Sequence, residues 1–422
     1  MRIAVLRRQG AERAVHPLEL FFDLVYVFAI GQLSQHLLDH VVVRTGAETV
    51  IMTLAVLYAW YMVAWAANWL DPDRLPVRLL LIGLMFASLL MSAGIHAAFE
   101  GRAWLFVAGY LLIQVPRSVF LIVVLRGKQL GAHFVNDLTW EVLAGALWIA
   151  GAIGDGDFRL TIWGAAVVVT YVGVSWLHWL PGRGRAIDLA HTEIAAMHLV
   201  ERFRLFFIIA LGETVLTMGS AFTHAPFEPE RLVALSVGFT GTVALWWCYF
   251  HRAERIGVEL AEQDDQAGTV GWLGTWTLTV MVLGLVGIAV GDELAIAHPR
   301  DGSTPGFALI TFGGPALFLI AQTFFLRATL GRVPRSRPFG VIFLAVLGLV
   351  TGPLALIGGI ICSTAVLVAV ALTDSLQEGR HSPTARGSAG TPAGRNQLTA
   401  RGTTADPRYG PAAADRDVLG SA

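Results

Sequence analysis

A few ionisable side chains interrupt long apolar stretches of this sequence, and their types and spacing suit ion binding or proton movement. Arg117 stands in Gln114-Val115-Pro116-Arg117-Ser118, in the middle of an apolar run. Arginine keeps its proton, so in hydrocarbon it must face a carboxylate, a cluster of carbonyls or a water-filled cavity. Pro116 removes one backbone donor and frees a carbonyl. Two roles are open to Arg117: holding an anionic substrate, or neutralising Asp23 or Glu141. Glu19 and Asp23 lie one helical turn apart and share a face, Glu19 near the inner interface and Asp23 a turn deeper. Asp23 is either functional or half of a structural ion pair, with Arg117 its candidate partner. His198, Glu201 and Arg202 fall within about one turn and read as caps and interfacial anchors. Glu213 lies 11 residues past Arg202, three turns and ~16 Å along the same stripe. Followed by Thr214 and Thr217, it is the better functional candidate, able to bind a cation or relay protons. His96 reads as a satisfied bundle histidine, His178 closes a span, and Asp292 with Glu293 reads as outer-interface residues.

The solvent around these groups follows from composition. Of 422 residues 55% are hydrophobic and 14% charged, where a soluble domain carries about a quarter charged. So few charges cannot coat a soluble particle, and a bilayer must take the place of water. With 30 Lys+Arg against 31 Asp+Glu there is no concentrated basic surface for nucleic acid. Cys248 and Cys362 lie in apolar runs and form neither a disulfide framework nor a zinc cluster. There is no HExxH, no phosphate-binding Gly-Lys-Ser/Thr loop and no Gly-x-Ser-x-Gly elbow. Gly154-Asp155-Gly156-Asp157 reads as a turn. Nothing here supports an enzyme, a metal site or a cofactor.

A helical span needs ~20 apolar residues. That length places spans near 18–38, 47–68, 77–99, 103–125, 138–153 and 159–180, then near 198–220, 230–251, 270–291, 306–328, 338–352 and 354–373. The last two share one apolar stretch, Phe339–Thr373, with a turn expected at Thr351-Gly352-Pro353. The basic residues give an independent test, because they collect in cytoplasmic loops. The inner loops hold Arg74, Arg78, Arg126, Lys128, Arg183, Arg185, Arg252, Arg255, Arg327, Arg332, Arg335 and Arg337. Each outer loop but the last holds one: Arg44, Arg102, Arg159, Arg231 and Arg300. The alternation never reverses, so both termini are expected in the cytoplasm. The organisation expected is an uncleaved cytoplasmic segment 1–17, six spans over 18–180, a cytoplasmic linker 181–197, six spans over 198–373, and a disordered cytoplasmic tail 374–422.

The two halves resemble each other. His16-Pro-Leu-Glu19 opens the first span and His198-Leu-Val-Glu201 the seventh, while Ala29-Ile-Gly31-Gln32 has its counterpart in Ala210-Leu-Gly212-Glu213. Six spans per unit would give both units one orientation, related by an axis along the membrane normal. The segments ELFFDLVYVFAIGQLSQHL at Glu19–Leu37 and HLVERFRLFFIIALGETVL at His198–Leu216 resemble the two signatures of the bacterial low temperature requirement A family. The similarity runs over about Val15–Thr373 and departs at Arg204, where similar proteins usually carry Gly. It implies a polytopic bacterial membrane protein, tied by the family's name to growth in the cold, with no established biochemical activity.

The expectation is an all-α transmembrane bundle of about 12 spans as a 6+6 parallel repeat, working as a secondary transporter of a small solute or ion. Its polar site would lie between the halves, built from Asp23, Arg117, Glu141 and Glu213, with Glu19, His96, His198, Glu201 and Arg202 as secondary candidates. Two alternatives stay open. Phe22-Asp23 followed by Val25–Ile30 faintly resembles the Phe-Ser-Asp motif of two-repeat potassium channels, without its serine. A membrane scaffold or stress-adaptation protein with no substrate is the other. The lipid bilayer is the expected partner, and the oligomeric state is left open.

Overall fold

A computed structural model describes residues 5–6, 15–186, 196–261, 267–331, 333–350, 352 and 354–379. Most of the N-terminal segment, residues 187–195 of the linker, Thr351 and Pro353 of the expected turn, and the tail beyond Gly379 lie outside the described residues. Among those described, twelve helices lie over the twelve expected spans. They are α1 Pro17–Asp39, α2 Val43–Ala67, α3 Leu75–Ile95, α4 Ala103–Val124, α5 Gln129–Ile153 and α6 Gly156–Ser175. The second six are α7 Ala196–His224, α8 Pro229–Ala261, α9 Ala267–Ala297, α10 Pro305–Leu330, α11 Ser336–Val350 and α12 Leu356–Gly379. Ten are long and apolar enough to cross a membrane; α5 and α11 are not among them. The reason is local: α5 carries His133, Asn136, Asp137 and Glu141, and the 15 residues of α11 reach only ~22 Å against a ~30 Å hydrocarbon core. The chain is a helical membrane bundle.

Two helices sit inside it. Every residue of α2 from Ala55 to Ala67 is buried, which is possible only for a helix with neighbours on all sides, and α2 packs on α1, α4, α6, α7 and α9. The α9 helix is likewise enclosed, against α7, α8, α10, α1 and α2. Other helices turn large apolar side chains outward, among them Leu79 and Phe86 on α3, Val123 on α4 and Leu349 on α11. In water that surface would be a liability; in lipid it is the solvated face.

Close approach is arranged by glycine. A Cβ on Gly284 of α9 would come within 2.6 Å of the Gly314 carbonyl of α10, and one on Gly314 within 2.7 Å of the Gly284 carbonyl. The α3–α4 pair repeats the device, with Gly94 against the Phe106 amide at 2.5 Å and Gly109 against the Met91 amide at 2.4 Å. Small residues let backbones meet where lipid gives no hydrophobic drive to associate. The obstructing atoms are backbone, so they cannot rotate away. Gly314→Val should therefore cost about 1–3 kcal/mol, the usual range for overpacking, measured as a lowered melting temperature of the purified protein in detergent. Gly46→Ala, with nothing within 4 Å of its position, should leave the melting temperature unchanged.

Candidate functional site

The charged side chains fall into separate groups. The first holds α1 to α7. His16 caps α1: its ring accepts from the Leu18 amide at 3.1 Å, and its own amide donates to Glu19 at 2.9 Å. The His-x-x-Glu spacing is thus a capping box, and it fixes Glu19 at the start of the helix. One turn on, Asp23 accepts from Arg202 Nε at 3.0 Å and from Trp60 Nε1 at 2.6 Å. Glu19 lies 3.0 Å from His198 Nε2 and 3.9 Å from Arg202 Nη1. The Arg202 guanidinium also sits over the Trp60 ring, 5.8 Å from its centroid. Glu19, Asp23, His198 and Arg202 are all buried. Both pairs, 19 with 198 and 23 with 202, are separated by 179 residues, so α1 and α7 run parallel and in register here.

The second group lies between α4 and α5. Arg117 donates to Asp137 at 3.0 Å, to Gln114 at 2.8 Å and to Ser118 at 2.9 Å, and to Glu141 as well. Ser118 lies within donating distance of Asp137, 2.9 Å, and Glu141, 2.8 Å. His178 brings Nε2 to 3.2 Å from Asp137. It is carried there by an unusual end to α6, where Leu177 and His178 both take positive φ, 54° and 52°, a conformation costly for residues with a side chain. Burial holds the His178 imidazole below the usual histidine range, against the pull of Asp137.

The third group lies farther along α1 and α7. Glu213 rests on Gly31 of α1, where a Cβ would come within 2.5 Å of its Oε1, and accepts from Thr217 at 3.2 Å. Glu293 of α9 accepts from Gln35 of α1 at 3.5 Å. Asp292, only 6% exposed, lies against Gly238 of α8, where a Cβ would stand 3.2 Å from its carboxyl carbon. Among the described residues, no Lys, Arg or His nitrogen lies within 4.0 Å of Glu213, Asp292 or Glu293. Nor do three acidic, His or Cys side chains converge closely enough to share a metal ion. Glu293 is near enough to Glu213 for its charge to act on it. Eight residues on α1 separate Asp23 from Gly31, ~12 Å of helix.

A model of the bacterial low temperature requirement A protein (LtrA) family matches residues 14–372. The chain belongs to this family. It is also 36% identical over 342 residues to an uncharacterized protein of Rhizobium meliloti (strain 1021), covering 80% of this chain and 83% of that one. The LtrA match takes in all three groups and stops just short of Asp374.

Several expectations change. Asp23 is paired not with Arg117 but with Arg202, because α1 faces α7 rather than α4 at that level. His198 and Arg202 are not interfacial anchors; both are buried and ionically joined to α1. Glu201 is half-buried and outside that group. Glu141 does meet Arg117, together with Asp137, one residue before the expected span 138–153. The available signal was that Asp137 and Glu141 are four apart and so share a helix face. His96 is no bundle histidine: it lies just past α3, 42% exposed, 3.5 Å from Asp39. Asp292 is buried. Arg337, counted as a loop residue, is buried against Asp374 at 3.2 Å, Gln322 and the Cys248 carbonyl at 3.0 Å. That contact carries α12 on to Gly379, past the expected start of the tail.

Removing one partner of a buried ion pair strands the other, at about 3–5 kcal/mol, whereas replacing the whole set by apolar groups is close to neutral. Arg117→Met should accordingly lower the melting temperature and membrane abundance sharply. The triple change Arg117→Met, Asp137→Leu, Glu141→Leu should recover most of the loss, read by thermal unfolding of the purified variants.

Proposed function

We propose that the protein is a secondary transporter of a small solute or ion, coupled to protons through Glu213, Asp292 and Glu293. The observation that carries this reading is that no counter-charge stands beside them among the described residues. Asp23, Glu19, Asp137 and Glu141 each face an arginine or histidine of the protein, which suits the fixed contacts of a scaffold. A carboxylate in a lipid-embedded interface with no such neighbour must take its neutralising charge from solution, and where no three ligands converge among the described residues a proton suits it better than a metal ion. Their position supports the reading as well, because Glu213 and Gly31 lie on the first helix of each half, and transporters place coupling sites at repeat interfaces near the bilayer midplane.

The proposal includes the full membrane topology. Parallel α1 and α7 require an odd number of crossings between them, so α5 crosses despite its charges, its polar face covered by Arg117 and His178. With α11 as the shortest crossing, the proposal is 12 spans in a 6+6 arrangement in the inner membrane, with the alternation of basic loops favouring cytoplasmic termini. The packing supports the repeat: α3 lies between α1 and α4 as α9 lies between α7 and α10. The requirement at low temperature stated in the family's name is extended to this chain on the same footing, and no catalytic step is assigned to it.

One second reading has an observation of its own. The paired groups at Asp23 and Arg117 have the character of a scaffold without substrate, and the same experiment separates the two. Everted membrane vesicles energised to accumulate protons report solute-driven proton release by recovery of a quenched dye. A solute library should include compounds that trigger recovery with the intact protein. Glu213→Gln and Asp292→Asn should abolish the response at unchanged membrane abundance, and Glu213→Asp should retain part of it. Absence of any response, or a loss that follows abundance, sinks the transport reading.

A further inference from the structure

A cavity lies away from these carboxylates, between α7, α8, α9, α10 and α11. It takes in about 590 Å³ of non-atom space, the open solvent at its mouth included. Its walls are mainly apolar, with Phe203, Leu278, Met281 and Phe325 among them. Gly274 helps to shape it: a Cβ there would come within 2.4 Å of the Phe203 ring, so glycine is what lets that ring lie against α9.

Two arginines reach this cavity, and their circumstances differ. Arg337 is engaged by Asp374, Gln322 and the Cys248 carbonyl. Arg204 is half-buried and has only the face of Phe250, 5.8 Å from its guanidinium carbon to the ring centroid. No carboxylate among the described residues lies within 4.0 Å of it. A cation–π contact is worth about 0.5–2 kcal/mol and leaves the positive charge and the guanidinium donors unmatched. Tyr249, stacked on Phe207 with centroids 4.0 Å apart, adds a hydroxyl-bearing ring to the same wall.

We infer that this cavity binds an amphipathic monoanion, its carboxylate or phosphate head on Arg204 and its apolar body among Phe203, Met281 and Phe325. A neutral apolar molecule would fill the space and leave Arg204 without a counter-ion. A polyanion would find a single uncommitted arginine in an otherwise apolar wall. The source of the anion is either a free small molecule or one chain and headgroup of a membrane phospholipid. The inference does not depend on proton coupling at Glu213.

The test uses the full-length protein in neutral detergent, with octanoate and octyl phosphate as probes and octanol as the neutral control. Both anions should bind saturably and raise the melting temperature, while octanol at equal concentration does not. Arg204→Gln should weaken octanoate binding at least tenfold, Arg204→Lys should retain most of it, and Met281→Trp should abolish it by filling the cavity. Displacement of octanoate by phosphatidylglycerol but not by phosphatidylcholine would assign the site to membrane lipid; failure of both lipids to displace it would assign the site to a free solute. Equal effects of octanol and octanoate, or undiminished binding by Arg204→Gln, would overturn the inference. Glu213→Gln should bind octanoate like the unaltered protein, so a failure of the transport reading leaves this result unaffected.

Discussion

Arg202 of α7 is surrounded by Asp23 and Glu19 of α1 and the ring of Trp60 from α2, far from water. A guanidinium cannot shed its proton in such a place, so the carboxylates must stay with it. The two helices that carry them are thereby held side by side in one register. That constraint joins residues 179 positions apart in sequence. It brings Gly31 level with Glu213 and sets α2 and α9 against the same seam. The capping box of His16 and Glu19 serves the same end, since it fixes where α1 starts and therefore which turn presents Asp23.

Against that scaffold, the carboxylates of the protein divide by whether a counter-charge was built beside them. In the α4–α5 group Arg117 is met by two carboxylates, a serine and a glutamine, and in the α11–α12 group Arg337 is met by Asp374, Gln322 and a carbonyl. Such sets are costly to break and contribute little beyond holding helices together. Glu213, Asp292 and Glu293 are placed as carefully, two of them against glycines that make room for them, yet with no cation beside them among the described residues. The difference between the two kinds of placement is the physical basis for separating scaffold from site.

Much of the fold was legible because membrane helices announce themselves by length and apolarity. Expected segments such as 103–125 and 306–328 differ from α4 and α10 by only a residue or two. Helix ends were harder: α6 stops at Ser175 because Leu177 and His178 turn left-handed, and α12 continues to Gly379 because Asp374 answers Arg337. The second cause is not local in sequence. The candidate residues were visible as charges in apolar runs, but their partners were not. Whether Asp23 faces Arg117 or Arg202 depends on which helices touch, and no spacing within one helix contains that information. Asp137 could have been found from its four-residue spacing to Glu141. The isolation of Glu213 and Asp292 could not, since it is a property of everything around them.

The central claim is that Glu213 takes its neutralising charge from solution while Asp23 takes it from Arg202. Infrared difference spectra of the reconstituted protein between high and low pH test it directly, through the carbonyl stretch of a protonated carboxyl group. The account predicts a titrating band that disappears in Glu213→Gln and shifts in Glu213→Asp. Spectra of the unaltered protein and Glu213→Gln that coincide across the pH range would contradict it.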